Sequence, residues 1–240
     1  METNKRKMTL GFIGDSITAG VGATSNENRW STVLCRALDA DEINLAVSGS
    51  VLSDSPRYYC ERQRLPELTP CDILFVALGI NDWQVACKDG KTIVSPSNAV
   101  PGASYCGPGS PDSDDTSTLY GAMKRFCSDI LEKKKTEGFE NTRVIFLTPL
   151  VMAENPCQIN EKYHYEKDLK NIYGSTIKDY CNIISKVAAS FGLDVIDTHE
   201  LAGIYYNSEE DSTADELLND GLHPNDKGHR KIAETVLKNL

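Results

Sequence analysis

The sequence predicts an α/β fold: a three-layer sandwich in which helices cover both faces of a five-stranded parallel sheet. Three observations carry this. Short apolar runs that stop at Gly, Ser or Asn alternate along the chain with amphipathic stretches of helical period. The run Asp72-Ile-Leu-Phe-Val-Ala-Leu78 is apolar almost throughout, as a strand covered on both faces must be. No internal repeat is visible, so the elements belong to one sheet. The 240 residues are read as a single domain over 1–240, with irregular insertions at about 84–117 and 153–174.

In chain order, the first strand is Leu10 to Ile13, and it breaks at Gly14-Asp15-Ser16, with Gly20 and Gly22 close behind. Glycine takes backbone angles closed to other residues, so the chain can turn sharply here and hold Ser16 at the strand tip. Arg29 to Leu38 carries Trp30, Val33, Leu34, Ala37 and Leu38 as a helical stripe. Glu42 to Val47 is the second strand and ends at Ser48-Gly49-Ser50. A helical or irregular segment follows from Tyr59 to Leu65, and the third strand, Asp72 to Leu78, stops at Gly79-Ile-Asn81-Asp82-Trp83.

Residues 84–117 are rich in Gly, Pro, Ser and Asp and have no period. A loop this long in a compact domain is functional or disordered. Leu119, Ala122, Met123, Phe126, Cys127, Ile130 and Leu131 then mark an amphipathic helix, and Arg143 to Leu147 is the fourth strand, closed by Thr148-Pro149. After the second irregular stretch, Thr176 and Asp179 have capping-box spacing. They open a helix through Ile177, Tyr180, Ile184 and Val187 that Gly192 ends, and Leu193 to Ile196 is the fifth strand. A polar loop leads to Asp220-Gly-Leu-His-Pro-Asn225 and a last helix with Ile232, Ala233, Val236, Leu237 and Leu240 inward.

The formal net charge of −10 opposes nucleic acid and anionic membrane surfaces, which reward Lys/Arg clusters. The one tight basic run, Lys133-Lys134-Lys135, falls at a predicted helix end, where cations favour the dipole. No apolar run approaches the roughly 18 residues of a membrane span. The charged N-terminus leads straight into the first strand, so a cytoplasmic location is expected unless a secretory signal was removed. The eight cysteines are scattered, without a C-x-x-C pair or zinc spacing. We expect reduced thiols and no metal or cofactor, with Cys87 and Cys106, which bracket the long loop, as the pair to check for a bridge.

Four polar sites fall at strand ends or before the last helix: Ser16, Ser48-Gly49, Asn81 and Asp220/His223. A parallel sheet gathers its strand C-termini on one edge, so the first three are brought together by the fold. A nucleophilic serine needs a base, a group that orients the base, and donors for the developing oxyanion. Asp220 and His223, three apart on one short segment, supply orienter and base. The backbone N–H groups of Ser16 and Gly49 and the side-chain amide of Asn81 supply three donors. The first three also have a plainer structural explanation: Gly-Asp-Ser and Asn81-Asp82 suit helix N-caps, and Ser48-Gly49 suits a turn. His199 and His229 are rivals for the base but lack a carboxylate at the same offset. His164 lines a substrate wall or is a solvated loop histidine. Asp15 and Trp83 are the candidate substrate-binding residues, with Trp83 either stacking on a sugar ring or acyl chain, or packing beneath the loop.

These blocks resemble, in order, those of the SGNH/GDSL hydrolases, over nearly the whole chain. Phe12-Ile-Gly-Asp-Ser-Ile17 is similar to the block with the family's nucleophile, and Asn44-Leu-Ala-Val-Ser-Gly49 to the block whose glycine donates to the oxyanion. Gly79-Ile-Asn81-Asp82 is similar to the G-x-N-D block, and Asp220-Gly-Leu-His223 to the D-x-x-H block. Ala46 stands where many members have glycine. The resemblance implies a flavodoxin-like sandwich and a serine esterase or acylhydrolase that forms an acyl-enzyme through Ser16, His223 and Asp220. A carbohydrate O-acetyl or short-chain acyl ester is the expected substrate, because Thr118-Leu-Tyr-Gly-Ala-Met123 and the loop after Trp83 resemble a bacterial subset of acylhydrolases and sugar esterases. The alternatives are a lysophospholipase or thioesterase of the same family, and a non-catalytic flavodoxin-like binding domain. The loop 84–117 is expected to govern substrate choice.

Overall fold

A computed structural model describes residues 6–54, 64–84, 106–153, 169–171, 173–206 and 213–240. Its strands are β1 (Met8–Gly14), β2 (Ala40–Asn44), β3 (Ile73–Ala77), β4 (Arg143–Leu147) and β5 (Asp194–Ile196). They form one five-stranded sheet, parallel throughout, in the order β2-β1-β3-β4-β5. Parallel neighbours need crossovers, which hold the first five of the described helices, and the last three follow β5. The helices are α1 (Ser16–Ala19), α2 (Trp30–Ala37), α3 (Ile80–Trp83), α4 (Leu119–Lys133), α5 (Ile177–Ser190), α6 (Thr198–Leu201), α7 (Ala214–Leu217) and α8 (Asp226–Lys238).

Strand register shows how the layers form. Phe12, Phe75 and Ile145 are partners across β1, β3 and β4, and Ile13, Val76 and Phe146 are partners one residue on. Successive strand side chains alternate, so the two rows occupy opposite faces. On the first, Trp30 of α2 meets Phe12 edge-on at 5.1 Å between centroids, and Phe12 stacks on Phe75 at 5.3 Å. On the second, Phe126 of α4 meets Phe146 edge-on at 6.3 Å. All five rings are buried. Such pairs add about 0.5–1.5 kcal/mol each beyond the area they bury. With α8 packed on α2 and α5 on α4, both faces are covered.

Some expectations shift in detail. β2 begins two residues early, at Ala40, and the ladder outlasts it: Leu45 N–H donates to Phe12 O at 2.9 Å and Val47 N–H to Gly14 O at 3.0 Å. In α2 the buried face is Trp30, Ser31, Leu34 and Cys35, with Ala37 outside it. The inward stripe of α8 is His229, Ile232, Ala233 and Val236, whereas Leu237 and Leu240 are 41% and 36% exposed. Leu237 lies one residue, about 100° of helix, beyond Val236 and therefore leaves the packed face. The capping box holds: Thr176 Oγ accepts from Asp179 N–H, and Asp179 accepts from Thr176 N–H. The polar loop before Asp220 contains α6 and α7, four residues each and too short for a period to show. Residues 55–63, 85–105 and 154–168, and with them most of the Tyr59–Leu65 segment, Cys87, His164 and the cores of both insertions, lie outside the described residues. Among the described residues no helix is long and apolar enough to cross a membrane.

This strand order is the doubly wound one whose chain reverses direction between β1 and β3, and such sheets bind ligands outside the strand C-termini at that switch point. Ser16 follows β1 and Asn81 follows β3.

Candidate active site

Ser16 opens α1, one turn of helix directly after β1. Asp15 is its N-cap, and Asp15 Oδ1 accepts from Ile17 N–H at 3.0 Å. The carboxyl is 3% exposed, and burial pushes its pKa up to about 7. The expectation that Asp15 contacts substrate is therefore corrected: its side chain faces inward and is used to cap the turn that presents Ser16.

Beyond α1 the chain passes under the Asp220–His223 segment. Gly22 has φ +94°, and a Cβ there would lie 2.2 Å from Pro224 O and 3.1 Å from His223 Cβ, so only glycine fits. Asn219 Nδ2 donates to Gly22 O at 2.7 Å, and Asn219 N–H to His223 O at 2.8 Å. The turn is thus seated on the exit of the serine helix and closed on itself.

Within that turn Asp220 uses both oxygens. Oδ1 accepts from the N–H groups of Leu222 at 3.1 Å and His223 at 2.7 Å, and Oδ2 lies 2.6 Å from His223 Nδ1. Burial raises the Asp220 pKa, but the hydrogen bonds from the ring and backbone of His223, with its charge, outweigh it and hold the carboxyl below its ordinary value. A carboxylate only accepts, so Nδ1 carries the proton and Nε2 is the acceptor. Nε2 lies 2.9 Å from Ser16 Oγ. The structure thus brings Ser16, His223 and Asp220 into one hydrogen-bonded line.

Gly49 and Asn81 converge by a different route. Gly49 has φ +82°, and no atom lies within 4 Å of where a Cβ would sit, so the backbone there is open to approach. Asn81 Nδ2 donates to Ser50 O at 2.9 Å. An amide nitrogen has two protons, so one remains for another acceptor. The next residue, Asp82, is 2% exposed and accepts from Leu52 N–H at 3.0 Å and Ser53 N–H at 2.9 Å. Burial raises its pKa. Asn81 and Asp82 therefore both hold the segment that follows Gly49. Sequence reasoning missed the grip of Asp82. Gly79 is the cap of α3, and both residues lie in its first turn.

The rival histidines have other partners. His229 is fully buried; its Nδ1 accepts from Trp30 N–H at 3.3 Å and its Nε2–H donates to Val21 O at 3.3 Å. Burial lowers its pKa to about 4. His199 Nδ1 donates to Pro149 O at 3.1 Å. Trp83, offered as a stacking platform, is 1% exposed, and its indole N–H donates to Ser175 O at 2.9 Å. It packs beneath the loops instead. Asn171, which sequence reasoning did not single out, sits beside it. Its Oδ1 accepts from Tyr173 and Ser175 N–H, and its Nδ2 donates to Tyr180 Oη at 3.1 Å. Tyr180 O–H in turn donates to Cys106 O at 2.8 Å. The C-terminal ends of both insertions are tied there. Cys106 is a free thiol. Among the described residues no cluster of three His, Cys, Asp or Glu side chains is placed to hold a metal.

Comparison with known proteins agrees with this fold. The GDSL-like Lipase/Acylhydrolase family matches residues 12–231. No curated protein matches the chain by sequence. Among solved structures, a protein from Lactobacillus plantarum has 21% identity and a TM-score of 0.72, over 98% of this chain and 96% of its own. The acetyl xylan esterase AlAXEase has 22% identity and a TM-score of 0.63, over 97% and 100%. A member of the lipolytic protein G-D-S-L family from Veillonella parvula has 14% identity and a TM-score of 0.55, over 96% and 97%. At these identities the structures establish the shared fold, and the family match over 12–231 establishes kinship: this chain belongs to the GDSL-like lipase/acylhydrolase family of ester-hydrolysing enzymes.

Proposed function

We propose that the chain is a serine esterase that cleaves a carboxylic ester through an acyl-enzyme on Ser16, with a carbohydrate O-acetyl or other short-chain acyl ester as substrate. The observation that carries this is the line Ser16 Oγ, His223 Nε2 at 2.9 Å, then His223 Nδ1 and Asp220 Oδ2 at 2.6 Å. Ser16 Oγ attacks the ester carbonyl while His223 Nε2 takes its proton. The tetrahedral oxyanion accepts from Ser16 N–H, Gly49 N–H and the remaining proton of Asn81 Nδ2. His223 hands its proton to the leaving alcohol, then removes one from the water that releases the acid, and Asp220 stabilises the imidazolium each time. The acetyl xylan esterase among the structural neighbours supports the acetyl-sugar assignment.

A fluorophosphonate probe tests the nucleophile. Wild type should label at Ser16, and Ser16→Ala should lose both labelling and p-nitrophenyl acetate hydrolysis with unchanged melting. Labelling of another serine in the Ser16→Ala protein would refute the assignment. His223→Ala should be as inactive, whereas loss of the same size in a folded His199→Ala protein would move the base to His199.

A further inference from the structure

On the same edge of the sheet the segments after β3, β4 and β5 and the start of α5 enclose a cavity of about 480 Å³. Small-molecule sites span about 300–1,000 Å³. Two connections tie its lining to residues of the candidate site, one along the chain and one through a hydrogen bond. Trp83, at its back, ends the helix that carries Asn81. Met152, on its wall, precedes Ala153, whose N–H donates at 2.7 Å to Gly221 O between Asp220 and His223. A short acyl group needs little room, so a space of this size receives the other half of the ester.

The lining is mixed in a way that discriminates between occupants. Buried Met152 and Ile204 give it an apolar floor, and Tyr206 adds an aromatic ring. His199 and the Lys178–Glu200 pair, bonded at 2.5 Å, interrupt the apolar surface. Pro149 O can only accept, so Nδ1 of His199 donates to it and Nε2 is the ring nitrogen left to meet a ligand hydroxyl. The ion pair offers donors and acceptors without adding net charge. A fatty chain favours unbroken apolar walls, whereas a ring with a C–H face and hydroxyl edges is matched by both kinds of surface at once.

We propose that this cavity is the alcohol-side subsite and takes a sugar-like polyhydroxylated ring, with His199 accepting a hydroxyl hydrogen bond as a specificity-determining residue. This rests on the esterase mechanism proposed above.

The test compares kcat/KM for an O-acetylated methyl pyranoside, p-nitrophenyl acetate and p-nitrophenyl octanoate. In His199→Leu the ratio of sugar ester to p-nitrophenyl acetate should fall about tenfold, one hydrogen bond's worth, mainly through KM. Val151→Trp, which fills the cavity from its wall, should lower the same ratio at least as far. Both variants are checked for wild-type melting, and Val151→Trp leaves the His199–Pro149 contact in place should His199→Leu fold poorly. Unchanged ratios in the folded variants, with Ser16→Ala inactive, would overturn the subsite and leave the esterase mechanism standing. A selective loss of octanoate hydrolysis would overturn it too, by assigning the cavity to the acyl chain. Wild-type turnover in Ser16→Ala would instead refute the mechanism on which the subsite rests.

Discussion

At His223 everything depends on which nitrogen holds the proton, and one carboxylate decides it. Asp220 spends Oδ1 on two backbone amides and Oδ2 on Nδ1, so turn and ring are oriented by the same group. Asp220→Asn keeps the size but loses the charge and lets an amide NH₂ face the ring, which favours the wrong tautomer. We expect kcat to fall by about 10³–10⁴ with near-native melting, read by steady-state kinetics beside a thermal scan. Asn81→Ala removes one of the proposed oxyanion donors and the bond to Ser50 O, and kcat should fall about 10²–10³. Equal activity in wild type and Asn81→Ala would remove Asn81 from the oxyanion hole. These residues were legible because each belongs to a short block with its own turn chemistry. Asp82 was not: its partners, Leu52 and Ser53, lie about 30 positions back and share no pattern with it.

Among the elements, α3 is the one that organises most for its length. Its first turn holds the segment that follows Gly49, and its last residue, Trp83, is held by Ser175 on the far side of the second insertion. Asn171 completes this knot, buried with both ends of its amide engaged. Asn171→Leu keeps the volume but removes the bonds to Tyr173 N–H, Ser175 N–H and Tyr180 Oη, at a cost of about 2–4 kcal/mol. A shifted urea midpoint at constant slope would show this; a midpoint within error of wild type would mean that Asn171 does not anchor the insertion. The long helices could be read from period and caps, as Thr118 and Thr176 show. The short helices α6 and α7 could not, since a single turn has no period.

Across the whole molecule, His229 links α8 to the start of α2 and to the loop leaving Ser16. Its pKa falls from 6.5 to about 4 because burial penalises the charged ring. The unfolded chain therefore binds more protons between those values. Its contribution to stability is complete above about pH 6.5 and is lost as pH falls towards 4, roughly 3 kcal/mol in all. Asp15, raised to about 7, acts with the opposite sign, since its contribution is lost as pH rises through that value. Asp15 is present in both proteins of a comparison, so the advantage of wild type over His229→Gln should shrink between pH 6.5 and 4 in urea unfolding. A constant difference across that range would mean that His229 is already charged when folded.

Periodicity and punctuation in the sequence determined the five strands, the long helices and the residue types at the strand ends, because those features depend on neighbours within a few positions. The parallel sheet followed from the alternation of strand and helix, and the polar blocks from the chemistry a serine nucleophile requires. The choice among the histidines was a matter for tertiary structure. His223 reaches Ser16 across 207 positions, over a glycine that leaves room for Pro224, while His229, six residues further on, turns into the core to satisfy Trp30 N–H. The inward cap of Asp15, the burial of Trp83 and the knot at Asn171 were decided there as well. Each depends on which distant backbone groups need a partner once water is excluded, and no local pattern in the chain encodes that.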